Sequence, residues 1–302
     1  MIDCYAVKNN NEKIRLDSSS GGAFSAFCST FDVVYGVSMS EDGKGAEFVR
    51  VTKDIERIRG SKYLQAHMGD IYNKVKEDII HKREVLFSGT ACQVNGLYAF
   101  LGYAPINLYT VDIICHGVPS PILWEKYTNN TIIEHVNFRS KKVSWEEYGI
   151  EINGDYISRH NNKYMKLYLT NLPIRPSCYN CVCKESKHSD ITIGDFWGID
   201  NVAPDLNDKK GTSIVILRTE KGRELFERIK DLLTVFEVNY QDSIKYNPCE
   251  YESVAEPINR EQFFRDIKVL SFDELCKKYL KEKTLIKILK RIIRTIRRGL
   301  NG

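Results

Sequence analysis

The chain is punctuated by short apolar runs that end in small residues. VLFSGT (85–90), NLYTVDIIC (107–115) and ITIGDFWGI (191–199) share this form. Runs of that length read as strands buried on both faces, and helical periodicity lies between several of them. Helices are expected over 54–59, 69–82, 93–101 and 220–233, and another from VPSPILWEKYTNN, where Pro119 and Pro121 suit a helix start. The segment 1–35 reads as a short strand, a Ser/Gly turn and a helix beginning near Gly22. VVYGVSMS (33–40) and AEFVRVT (46–52) form a strand pair through Asp42-Gly43. Residues 135–170 alternate in short pieces that predict antiparallel strands, and KKGTSIVILRT (209–219) predicts a Gly/Ser turn and a strand. Residues 240–265 have no clear period. The fold class is therefore α/β (mixed α+β), a mixed sheet core flanked by helices, with a basic amphipathic helix at the C-terminal end.

The 302 residues are 42% apolar and 28% charged, a balance that excludes wholesale disorder, collagen and coiled coil. No stretch reaches the roughly 18–20 apolar residues of a membrane span. The start MIDCYAVKNNNEK has no apolar run after a basic head, so a secretory signal is not expected and a cytoplasmic location is. The formal charge of +4 is unevenly spread. Residues 281–302 hold eight Lys/Arg against Glu282, a net +7, which leaves −3 for the rest. The body thus has no basic field for nucleic acid, and no nucleic-acid partner is expected. Within the tail, Leu285, Leu289, Ile292, Ile296 and Leu300 recur at helical spacing beside Lys287, Arg291, Arg294 and Arg298. That pattern suits either contact with an anionic membrane surface or docking on the body or a partner.

Nine cysteines in a long chain with no export signal point to metal or redox chemistry rather than a disulfide framework. Cys92 and Cys115 follow two of the buried strands, and Cys178 and Cys181 form a C-x-x-C in a turn flanked by Pro173 and Pro176. Loops at strand ends are where ligands bind in open α/β sheets. Four thiolates suit an iron–sulfur cluster or a structural zinc, and the C-x-x-C alone suits a redox dithiol. Cys183 is either a spare ligand or a bystander; Cys4, Cys28, Cys249 and Cys276 read as structural. His116 reads equally as a ligand, as a group orienting one, or as a satisfied turn residue. No Ser-His-Asp set, Walker loop or G-x-G-x-x-G is present, so hydrolase and kinase chemistry have no support.

Seven segments in order, SSSGGAFSAF (18–27), RGSKYLQA (59–66), VLFSGTACQVNGL (85–97), YTVDIICHGVPSP (109–121), RPSCYNCVCK (175–184), SDITIGDFWGI (189–199) and KGTSIVILRT (210–219), resemble the coenzyme F420 hydrogenase/dehydrogenase beta-subunit family. The resemblance implies an iron–sulfur flavoprotein oxidoreductase carrying FAD and a 4Fe-4S cluster. Such a protein moves electrons between a one-electron centre and a hydride carrier or other small-molecule substrate. By motif, Cys92, Cys115, Cys178 and Cys181 match the family's recurring cysteines. The resemblance further implies an N-terminal family domain on the flavin side (1–85), a C-terminal family domain carrying the cysteine site (86–255) and a helical tail (256–302). Many members begin with a ferredoxin-like module, which this sequence does not show, so a separate ferredoxin-like electron donor or acceptor is expected. The bacterial-looking motif set is associated with surface-polysaccharide biosynthesis, and the deazaflavin substrate of the namesake enzymes is not assumed.

A flavin dinucleotide brings phosphates that need donors. Ser19, Ser20, Gly21 and Gly22 at a helix start would supply them, although a simple cap and turn is the plainer reading. Lys62 would pair with a phosphate or sit near the flavin ring, or else be a solvated surface lysine. Gly89 and Thr90 offer a turn that a cofactor can approach. Asp195 would face the cofactor or cap the turn before Trp197. Lys210–Ser213 reads as an anion-binding turn or an ordinary hairpin.

Overall fold

Alternation along the apolar runs decides which helices cover which face of the main sheet. In the computed structural model, which describes residues 2–129 and 131–280, the strands are β1 (Asp3–Asn9), β2 (Val33–Met39), β3 (Ala46–Val51), β4 (Ala66–His67), β5 (Val85–Thr90), β6 (Leu108–Ile113), β7 (Val136–Ser140), β8 (Gly149–Ile152), β9 (Asp155–Ser158), β10 (Ile191–Asp195), β11 (Ser213–Leu217) and β12 (Leu233–Glu237). Nine of them form one sheet in the order β12-β1-β11-β10-β6-β5-β2-β3-β4. Leu86 of β5 and Val34 of β2 point to a core that holds Ala26 and Phe27 of the helix Ala23–Cys28 and Leu225 and Phe226 of the helix Glu220–Ile229. Their neighbours Val85, Phe87, Val33 and Tyr35 point the other way, against Val75 and Ile79 of the helix Ile71–Ile80 and Val94 and Leu97 of the helix Ala91–Leu101. The result is the expected mixed α/β class, with helices on both faces.

The neighbouring pairs β10–β6, β6–β5 and β5–β2 are parallel. β11 is antiparallel to both β10 and β1, so β1 runs with the parallel set. This sheet takes strands from both sides of residue 85: β2 pairs with β5, and β1 lies between β11 and β12. A second core packs under the small sheet β7-β8-β9. There Trp124, Phe138, Tyr164, Phe263 and Leu275 meet, drawn from the small sheet and from the helices Pro121–Thr128, Lys163–Tyr168, Arg260–Val269 and Phe272–Tyr279.

Three local expectations change, and the first is that the stretch 135–170, expected as strands, ends in the helix Lys163–Tyr168. The helix expected over 220–233 ends at Ile229, and Leu233–Glu237 is an edge strand, because β1 offers it a hydrogen-bonding partner. The region without clear period contains the helices Tyr240–Ile244 and Arg260–Val269. The basic amphipathic helix and its membrane-surface contact lie outside the described residues. Among the described residues no helix is long and apolar enough to cross a membrane.

Candidate functional site at the carboxyl edge of the parallel strands

Because β2, β5, β6 and β10 are parallel, Met39, Thr90, Ile113 and Asp195 end at one edge of the sheet. β1 ends there at Asn9, and β11 begins there at Ser213. Ligands of open α/β sheets bind outside such an edge. Gly89, Thr90 and Asp195 lie on it, and the Ser19–Gly22 loop packs against it.

Cys92 stands in the first turn of the helix that follows β5, and it is exposed, with its Sγ 3.1 Å from Thr90 Oγ1. Thr90 starts that helix: Gln93 Oε1 accepts from its backbone N–H at 2.8 Å and from its hydroxyl at 3.0 Å. Gly89 packs tightly, since a Cβ there would lie 2.9 Å from Gln93 Oε1 and 3.2 Å from Phe48.

Cys115 follows β6. The chain after it runs beside residues 173–178: Ser120 N–H donates to Pro173 O at 2.7 Å and Arg175 N–H to Val118 O at 3.0 Å. Gly117 has φ +140° and lies against Ile174 and Cys178, where a Cβ would meet Ile174 Cγ2 at 2.9 Å. This pairing brings Cys115 to the C-x-x-C turn. Asn95, one turn along the helix from Cys92, ties in the next segment, donating to Ser186 O at 2.8 Å and lying 3.5 Å from Cys183 Sγ.

The electrostatics record the gathering. Burial pushes the Cys115 thiol up to about 12, and the nearby Cys92 and Cys178 push the same way against Lys184. Burial also raises Cys178, with Cys92 and Cys181 adding to the effect, and raises Cys183 to about 11, with Cys181 and Cys92 adding. The four expected cysteines therefore share one neighbourhood, with Cys183 as a fifth. They are not closed into a ligand set: among the described residues no three His, Cys, Asp or Glu side chains stand close enough to hold a metal ion. Four cysteines are a donor set that an iron–sulfur centre would accept, and a cationic centre would stabilise as thiolates the groups that burial here keeps as thiols.

Lys184 directs its ammonium at the carbonyls of Cys115 and Cys249. His116 is held between Asn171 Oδ1, 2.7 Å from Nε2, and Cys249 Sγ, 3.6 Å from Nδ1. Burial lowers its pKa. Cys249 thus sits beside the site, whereas Cys4, Cys28 and Cys276 are buried in the apolar cores. Nothing in the sequence around Cys249 signals this, because its partner is 133 residues away.

Ser19, Ser20, Gly21 and Gly22 lie over the ends of β1 and β11. Asn9 N–H donates to Gly21 O at 2.8 Å, Gly21 N–H to Ser213 Oγ at 2.9 Å and Ser20 Oγ to Thr212 O at 2.8 Å. A Cβ on Gly21 would fall 2.4 Å from Val7 O and 2.5 Å from Ser213 N, so only glycine lets the loop lie this close. Gly22 has φ +84°. The following helix has only six residues, so the loop's hydroxyls and nearby cations matter more than a helix dipole.

Ser19 Oγ accepts from Ser61 N–H at 2.8 Å, which draws in Lys62. That lysine is half-buried: burial pushes its ammonium down to about 7, and it donates to Arg59 O at 2.9 Å and Arg57 O at 3.3 Å. Asp195 is engaged by Arg139 through two bonds of 2.7 and 3.0 Å and by Trp145 Nε1 at 2.9 Å. Arg139 also donates to Tyr63 OH at 3.2 Å and stacks on Tyr148 at 3.9 Å. Tyr63 contacts Tyr168, whose hydroxyl donates to Gly117 O at 3.0 Å. A chain of side chains therefore connects Asp195, at the end of β10, to Gly117 beside Cys178. Sequence reasoning misses Arg139 and Lys141, since charges in an alternating polar stretch look like a solvated face.

A largely parallel sheet with helices on both faces and loops converging at one edge defines a mixed α/β protein. The family model for the C terminus of the coenzyme F420 hydrogenase/dehydrogenase beta subunit matches residues 82–240. The chain belongs to this family of hydrogenase and dehydrogenase subunits, as the resemblance of its segments implies. It is also similar in fold to a chain of the xenon-derivatised F420-reducing nickel–iron hydrogenase complex from Methanosarcina barkeri, with 16% identity, a TM-score of 0.54, and coverage of 93% of this chain and 92% of that one. No curated protein matches the chain.

Proposed function

We propose that the chain is an iron–sulfur flavoprotein oxidoreductase subunit. The observation that carries this reading is the arrival of Cys92, Cys115 and the 178–183 turn at the same sheet edge as the Ser/Gly loop and its cations. Cys92, Cys115, Cys178 and Cys181 would hold a 4Fe-4S cluster. Ser19, Ser20, Gly21, Gly22 and Lys62, with Gly89, Thr90 and Asp195 along the edge, would bind FAD. When bound, these groups join one-electron transfer to hydride transfer. The chain's own part is to place the two groups beside each other. Lys184 would offset negative charge near Cys115, and the Arg139–Asp195 pair would fix the wall between the two ends.

A separate ferredoxin-like protein would exchange electrons with the thiol end, where Cys92 is exposed. The substrate would be a small hydride carrier, the setting surface-glycan synthesis, and the location the cytoplasm or its membrane surface. Iron, sulfide and flavin assays on anaerobically prepared protein, with Cys92→Ser as control, test the reading. Iron and flavin in the native protein, and loss of iron in the variant, are expected. Stoichiometric zinc in colourless protein would replace the reading with a non-catalytic zinc module. Metal-free protein with a reversible dithiol would replace it with thiol–disulfide chemistry at Cys178 and Cys181.

A further inference from the structure

The small sheet inserts two cations into the edge of the large one. Arg139 lies in β7 and Lys141 directly follows its last residue, Ser140. Arg139 takes Asp195. Among the described residues Lys141 takes no carboxylate at bonding distance. Its ammonium donates to Arg15 O at 2.8 Å, Ser20 O at 2.6 Å and Lys210 O at 2.9 Å. These carbonyls belong to the helix Glu12–Asp17, the Ser/Gly loop and the turn before β11. Gly211 (φ +103°) closes against the same point, where a Cβ would lie 2.8 Å from Ser20 O and 2.9 Å from Lys141 Nζ. A compact ammonium with three donors matches three converging carbonyls in a way a planar guanidinium does not. Burial pushes Lys141 down to about 7, with Asp195 and Asp208 pulling the other way. A cation is thus held in a desolvated seam mainly by backbone oxygens.

We propose that Lys141 is a positioning residue that clasps the Ser18–Gly22 loop to the 209–212 turn and so presets this seam for the phosphates of a dinucleotide. The inference rests on the flavoprotein reading above. It adds a residue from the small sheet, more than a hundred positions away from the loop, to the phosphate-binding apparatus.

The test compares the full-length protein with Lys141→Met and Lys141→Arg. FAD and riboflavin, which lacks phosphate, are titrated by flavin fluorescence, and amide exchange is followed over 18–22 and 209–212. For Lys141→Met, FAD affinity should fall by about tenfold or more, in line with the loss of charged hydrogen bonds. Riboflavin affinity should stay within about twofold, and exchange in both segments should speed up by about tenfold. Lys141→Arg should recover part of the FAD affinity. Unchanged FAD affinity, or equal loss of both flavins, overturns the proposal. Should Lys141→Met fail to fold, Ser20→Ala, which cuts the adjacent bond to Thr212 O, tests the same seam by the same flavin contrast. If the native protein binds neither flavin, the flavoprotein reading and the phosphate role fall together. Exchange then still decides whether the clasp itself exists.

Discussion

The two ends of the site edge are built differently. At the Ser/Gly end, loop contacts are made with partners inside the chain: Ser19 with Ser61, Ser20 with Thr212, Gly21 with Ser213, Lys141 with three carbonyls. At the thiol end, the side chains that matter raise one another's pKa and are not drawn into a ligand set. The loop at one end is tied down by hydrogen bonds of its own side chains and backbone, and at the other the gathered thiols are held protonated by burial and by one another. Metal binding to such a set couples to its local order and to loss of protons. The thiol end should therefore depend on its metal far more than the Ser/Gly end does.

The largest expected effect tests that contrast directly. Cys115→Ser should abolish bound iron while bound flavin stays near the native level. Iron and flavin lost together would mean that the two ends are not independent. Next in size, Arg139→Met leaves Asp195 without its partner in a pair whose side chains are only 2% and 16% exposed. Removing one partner of a buried pair costs about 3–5 kcal/mol. Urea unfolding measures it, and a cost below about 1 kcal/mol would show that the wall between the ends does not rest on this pair.

Gly21→Ala should cost about 2–3 kcal/mol by overpacking the Ser/Gly end against β1 and β11. It should leave iron content alone, and iron loss in this variant would blur the contrast.

The smallest effect concerns the strand between the ends. Asp112 of β6 is fully buried and neither carboxyl oxygen has a hydrogen-bond partner. Burial raises it to about 6, against the pull of the Lys187 and Arg218 charges. Its unfolded value is about 3.9, so the proton binds the folded state more tightly. The associated stability is fully present below about pH 3.9 and is lost as pH rises through about 6. The native protein should gain about 2 kcal/mol from about pH 7.5 to about pH 4.5 relative to Asp112→Asn. Parallel pH profiles for the two proteins, from thermal unfolding, would count against the buried carboxyl.

Some of this is legible residue by residue. VLFSGT reads as a strand over 85–90, and β5 occupies those residues, because a short apolar run bounded by small residues has few alternatives. The β2–β3 pair and the helix after Gly22 are equally readable. β12 is not, since the local pattern of 220–233 continues a helix and the competing bonds come from β1, more than two hundred residues earlier. Arg139, Lys141 and the Cys249–His116 contact are hidden for the same reason.

By itself the sequence determined the class of fold and which strand ends carry thiols and small residues, because hydrophobic period and turn chemistry act over a few residues. Only the tertiary structure decided that those ends share one edge and that a small sheet docks two cations into it. It also decided which distant segments the hydrogen bonds at each end tie together. Strand order and the burial of charge are set by contacts between segments far apart in the chain, and local pattern carries no record of them.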